Sequence, residues 1–146
     1  MAGDELAAWH GLLSVHAAVT RELDRRLAAE HGLSLAEFDV LITLFNGDRD
    51  GTRMTELARS IMFSPAGLSH LVTRMERDRL VVRRVDPADR RSIRVRLTPA
   101  GRALLAQARN THNEVIREGF SRPLGREHLR RLAEAWAAVP LERDRS

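Results

Sequence analysis

Cysteine is absent from these 146 residues. That excludes a disulfide framework, a thiolate metal site and a thiol redox sensor. Apolar runs of membrane-spanning length are also missing. The opening Met1-Ala2-Gly3-Asp4-Glu5 is acidic and lacks the basic start and apolar stretch of a secretory signal, so a cytoplasmic protein is expected. There is no glycine-rich phosphate loop, no nucleophile elbow and no pair of carboxylates at a useful spacing. Neither an enzyme nor a cofactor is expected. The histidines (His10, His16, His31, His70, His112 and His128) form no metal-ligand spacing. They are expected in the core or on the surface, with no metal. Internal repeats and low-complexity segments do not occur. Lysine is missing too, so arginine alone carries the 24 positive charges.

What is present describes a folded, soluble domain: 43% hydrophobic and 30% charged residues, with enough length for a real core. The charge is unevenly placed. From Arg74 to Arg102, ten arginines stand against four acids, a local excess of +6 in a chain of net charge +4, which leaves −2 for the remainder. A mildly acidic body with one concentrated basic stripe is the electrostatic pattern of a polyanion binder. The competing interpretation is a solvated arginine-rich surface.

The stripe coincides with the most structured signal in the chain. Ser64-Pro65 starts a helix, because serine can cap the first free amides and proline fits the first helical position. Leu68, Leu71, Val72 and Met75 then recur at steps of three and four and form one buried face. The opposite face carries Ser69, His70, Thr73, Arg74 and Arg77, all able to reach a base edge or a phosphate. Leu80-Val81-Val82-Arg83-Arg84-Val85 and a second run from Ser92 to Leu97, separated by the polar turn Asp86-Pro87-Ala88-Asp89-Arg90-Arg91, read as a hairpin. In the second run Ile93, Val95 and Leu97 alternate with outward-facing Arg94 and Arg96, expected beside phosphates or in solvent. Asp86 is expected to form the turn.

Upstream, Leu6, Trp9, Leu13, His16, Thr20, Leu23 and Leu27 predict a long amphipathic helix ending near Gly32. Its apolar stripe is longer than a small DNA-reading module can cover, so a partner chain is expected over part of it. Ser34-Leu35-Ala36-Glu37 is a capping box. A short helix over about 54–61, burying Met54, Leu57, Ala58 and Ile61, precedes the helix from Ser64 and completes a helix-turn-helix. Thr98-Pro99 repeats the Ser-Pro device. It starts a helix with Leu104, Leu105, Ala108, Thr111, His112, Val115 and Ile116 inside, expected to end near Gly119, before a break at Pro123-Leu124-Gly125. A last helix is expected to bury Leu129, Leu132, Ala133, Trp136 and Val139, and the polar tail over 142–146 to fray.

Helix order and motif together resemble the MarR family of bacterial transcriptional regulators. The motif is Asp89-x-Arg91, five residues, then Leu97-Thr98, followed by Pro99-Ala100-Gly101. The fold expected is mainly α with a small β-hairpin wing: a winged helix-turn-helix over 34–98, with N- and C-terminal dimerisation helices over 5–32 and 99–139. The resemblance implies a homodimer on a palindromic operator of double-stranded DNA, usually a repressor released by a small aromatic or anionic effector. It implies that Arg91 enters the minor groove, with Arg90 beside it and Asp89 holding the guanidinium. Ser64, Ser69, His70, Thr73, Arg74 and Arg77 complete the expected DNA-binding set, and Trp9, His16 and His112 are candidates for lining an effector pocket. The chain departs from the family at Arg79, where a glycine commonly ends the recognition helix. The alternative is a protein-interaction module that uses a helical dimer without sequence-specific DNA binding.

Overall fold

The computed structural model describes residues 2–140. The expected frayed tail lies outside the described residues. In chain order the elements are α1 (Gly3–His31), α2 (Leu35–Asn46), β1 (Thr52–Arg53), α3 (Met54–Ser60), α4 (Pro65–Arg77), β2 (Val81–Val85), β3 (Ile93–Leu97), α5 (Pro99–Ile116) and α6 (Arg122–Ala137). The chain divides into two compact units, one formed by residues up to Arg21 and from Asn113, the other by Glu22–His112. The division falls inside the long helices α1 and α5.

The Glu22–His112 unit is built as its caps dictate. Ser34 Oγ accepts the Glu37 amide at 3.1 Å while the Glu37 carboxylate accepts the Ser34 amide at 2.9 Å, a complete capping box for α2. Ser64 Oγ accepts the Gly67 amide at 3.1 Å, with Pro65 in the first turn of α4. Thr98 Oγ1 does the same for Gly101 at 2.9 Å, ahead of α5. The core gathers Leu27, Phe38, Leu41, Leu57, Val72, Met75, Val95 and Leu105, all buried. Met54 and Ile61 pack against it half-buried, shallower than their spacing suggests.

Three helix ends turn through the left-handed region. Gly32 closes α1 at φ +65°, a conformation glycine adopts freely. The other two use side-chain-bearing residues: Met62 after α3 at φ +57° and Arg79 after α4 at φ +59°. Each makes the same pair of bonds. Phe63 N–H reaches Ala58 O at 3.0 Å and Met62 N–H reaches Arg59 O at 3.4 Å; Leu80 N–H reaches Met75 O at 3.0 Å and Arg79 N–H reaches Glu76 O at 2.9 Å. Arg79 therefore takes the glycine-type conformation despite its Cβ. The Thr98 hydroxyl also donates to the Arg79 carbonyl at 2.6 Å, holding this corner from the start of α5. There the backbones nearly touch, since a Cβ at Gly101 would stand 2.1 Å from the Leu80 carbonyl oxygen.

The sheet has three antiparallel strands in the order β1-β3-β2, with Arg83 opposite Val95 and Thr52 on its other side. The hairpin was expected; β1 was not. Two residues are too few to show an alternation, and their partner strand lies some forty residues on in the chain.

In the other unit, α1 carries its expected stripe, but Leu6, Trp9, Leu13 and His16 remain exposed, and only Leu23 and Leu27, in the Glu22–His112 unit, are buried. That stripe was expected to be longer than the chain itself covers; the burial expected on α6, by contrast, is overturned. Leu129 and Leu132 are half-buried, and Ala133, Trp136 and Val139 are exposed. α5 does not stop near Gly119: a π-helical turn, Arg117–Ser121, carries it directly into α6. The Arg122 amide reaches back five residues to Arg117, and Pro123, in the first turn of α6, has no amide to lose. The break expected at Pro123-Leu124-Gly125 falls at its last residue, Gly125, at φ 73° and ψ 164°.

Candidate nucleic-acid interface

On α4 the apolar stripe Leu68, Leu71, Val72 and Met75 is buried, which turns Ser69, His70, Thr73, Arg74 and Arg77 outward, all exposed. Ser64 is exposed, but its hydroxyl oxygen serves as the cap. Arg74 is not a free cation. Its Nε bonds Oε1 of the nearly buried Glu37 at 2.9 Å, so the capping residue of α2 also aims a guanidinium on α4.

A second arginine, Arg83 on β2, lies across the same face. Its Nη1 donates to Glu76 Oε1 at 2.7 Å and to Thr73 Oγ1 at 3.0 Å, and its Nη2 donates to the Ser69 carbonyl at 2.7 Å. The hairpin and the polar side of α4 are therefore joined by one side chain. They do not point apart.

The hairpin turn is built on Asp86, a carboxylate with 1% of its residue surface exposed. Oδ2 receives Arg53 Nε from β1 and Arg94 Nε from β3, each at 3.0 Å, and Oδ1 receives the Ala88 amide at 3.0 Å. The Ala88 amide, with Arg94 and Arg53 behind it, holds the Asp86 carboxyl below the usual carboxylate range, against the opposing effect of burial. Asp86 forms the turn as expected and also anchors the sheet. Arg94 is correspondingly not a solvated outward charge, since it pairs with Asp86 and donates to the Gly51 carbonyl at 2.8 Å. Asp89 differs from expectation as well. It accepts the Arg91 backbone amide at 3.1 Å rather than the guanidinium, because an aspartate two residues back reaches the amide first. What it orients is the turn.

The arginines thus fall into two classes. Arg53, Arg74, Arg83 and Arg94 are each committed to a carboxylate. The guanidinium groups of Arg77, Arg84, Arg90 and Arg91 and the ring of His70 have no polar partner among the described residues, and all are exposed. Unpaired guanidinium groups at the end of a helix and on an adjoining hairpin form a surface suited to phosphate oxygens and groove edges.

Of the candidate effector residues, Trp9 and His16 stand exposed on α1 in one unit. His112, in the other, stacks on Phe38 with centroids 4.7 Å apart. Beside it Asp39 has its pKa raised by burial, with His112 acting in the opposite sense. Among the described residues no cluster of three His, Asp or Glu side chains could hold a metal ion.

A sequence model of the MarR family matches residues 31–92, which span the helix-turn-helix, β2 and the turn after it. AbsC, a MarR family transcriptional regulator from Streptomyces coelicolor, is 32% identical, with a TM-score of 0.84 over 92% of this chain and 90% of that one. The chain belongs to the MarR family. It is a winged-helix transcriptional regulator. A second MarR regulator from the same organism, Sco3205, solved in complex with DNA, is 28% identical with a TM-score of 0.84 over 99% of this chain and 93% of that one. The HTH-type transcriptional repressor YetL of Bacillus subtilis is 35% identical over 79 residues, 54% of this chain. That alignment spans about half of the repressor's length, 47%.

Sequence reasoning missed Glu37, Arg53 and Arg83 as parts of this MarR site. Glu37 was visible only as a helix cap, and the other two find their partners through contacts far apart in the chain.

Proposed function

We propose that this MarR protein is a dimeric, sequence-specific DNA-binding regulator, a cytoplasmic repressor of a palindromic operator relieved by a small aromatic or anionic effector. The observation that carries the reading is the set of exposed, unpartnered guanidinium groups on α4 and the hairpin, beside arginines already committed to carboxylates. Ser64, Ser69, His70, Thr73, Arg74 and Arg77 then address a major groove, and Arg90 and Arg91, on a turn ordered by Asp89, address the adjoining minor groove. The exposed stripe on α1 and the open face of α6 supply the dimer, in which residues 5–32 and 99–139 form the helical region and 34–98 the DNA-binding lobe. A twofold axis spaces the two recognition helices by about 34 Å, one turn of duplex.

Selection of bound sequences from a random duplex pool tests the reading. A palindromic consensus is expected, with affinity falling steeply as salt rises. Arg91→Ala should weaken binding to that consensus by about 1–3 kcal/mol with folding intact. An undiminished affinity would remove Arg91 from the interface. Failure to shift any duplex at low salt would leave the helical dimer as a protein-interaction module.

A further inference from the structure

We propose that Arg83 is a positioning residue that sets the hydrogen-bond polarity of α4, leaving Ser69 as a proton donor toward a base edge and Thr73 as an acceptor only. The inference rests on the DNA-reading function proposed above and adds to it which hydroxyl can read what.

A hydroxyl has one proton to give and two lone pairs. Thr73 gives its proton to the Ser69 carbonyl, one turn back, at 2.8 Å. Arg83 Nη1 fills one of its lone pairs at 3.0 Å. Thr73 is left with a single acceptor site. The Ser69 hydroxyl oxygen accepts from Arg83 Nη2 at 3.3 Å, and its proton has no partner among the described residues. The arginine is itself held firmly. Glu76 takes its Nη1 at 2.7 Å and its backbone amide at 3.2 Å, and the Ser69 carbonyl takes Nη2 at 2.7 Å. Its side chain is 24% exposed, too enclosed to swing freely.

Only a planar fork spans Glu76, Thr73 and Ser69 together. A lysine ammonium keeps the charge but is a compact point on a flexible stem. In the major groove a donor pairs with the O6 and N7 of guanine, the N7 of adenine or the O4 of thymine, and an acceptor pairs with the amino groups of adenine or cytosine. With Arg83 in place, Ser69 is the one of these two hydroxyls, a turn apart, that still has a proton to give, and Thr73 can only accept. Because Arg83 belongs to the hairpin, it also ties that assignment to the seating of the wing.

The experiment compares full-length wild type, Arg83→Lys and Ser69→Ala, by selection from a random duplex pool followed by titration against the selected duplex and a random one. Arg83→Lys should keep its affinity for random duplex and its salt dependence within about twofold, since the charge remains. Its ratio of selected to random affinity should fall about tenfold, and the consensus should become degenerate at neighbouring base pairs. An unchanged ratio and consensus would overturn the proposal. So would an equal loss on both duplexes, which is the behaviour of a plain phosphate contact. Should Arg83→Lys fail to fold, Ser69→Ala decides: loss of preference at one base pair supports the donor assignment, and an unchanged consensus overturns it. A wild type that selects no sequence fails earlier and sinks the DNA-reading function itself.

Discussion

α4 and the N-terminal half of α1 carry the same kind of stripe, apolar side chains at steps of three and four, and meet opposite fates. On α4, Leu68, Leu71, Val72 and Met75 are all buried, none more than 7% exposed. On α1, Leu6, Trp9, Leu12, Leu13 and Val15 are each at least 39% exposed. The difference teaches that a stripe declares a need for cover without saying what supplies it. The Glu22–His112 unit closes its own core from α2, α3, α4, the sheet and α5. The terminal helices have apolar surface left over, which fits a second copy of the chain.

The contrast can be broken first where burial is complete. Leu68→Ala should cost about 2–5 kcal/mol of stability by denaturant unfolding, the price of a cavity in a closed core. Trp9→Ala should leave protomer folding nearly unchanged and weaken self-association by about 2 kcal/mol, read by sedimentation. An unaltered dimer, or a large loss of protomer stability, would erase the distinction between the two stripes.

Acid sharpens the comparison from the wing side. The folded-state pKa of Asp86 is depressed, so its contribution is present above the unfolded-state value of about 3.9 and is lost as pH falls through the folded value below it. Thermal unfolding midpoints followed downward from about pH 6 should drop along this limb in wild type, and Asp86→Asn should flatten it.

The smallest effects belong to the two left-handed corners that bracket α4. Arg79→Gly should stabilise by about 0.5–1 kcal/mol, because glycine accepts this backbone conformation without a Cβ penalty, and Met62→Gly should act in the same direction. Met62 is 92% exposed, so its side chain contributes almost no burial to offset the strain. A loss of stability in either variant would show that the side chain earns its place through contacts.

Much of the fold was legible because its signals are local. Ser34, Ser64 and Thr98 each sit beside the amide they cap, and the alternation of Ile93, Val95 and Leu97 is visible within five residues. The helix running through Gly119 into α6 was not legible: a π turn ahead of Pro123 gives no period of its own, and the proline signal suits a helix start as well as a stop. β1 was too short to register. At the site, the outward residues of α4 could be named from the stripe on its other side. Nothing in the order of residues separated committed arginines from free ones.

By itself, then, the sequence determined where helices begin, which face of each is apolar, and that the positive charge gathers on one helix and one hairpin. These follow from interactions within a turn or two of chain. Only the tertiary structure decided that Arg53 serves Asp86, 33 positions away, and that Arg74 serves Glu37, 37 positions away. An ion pair is chosen by which carboxylate the packed core brings within 3 Å, and that distance exists only once the chain has folded.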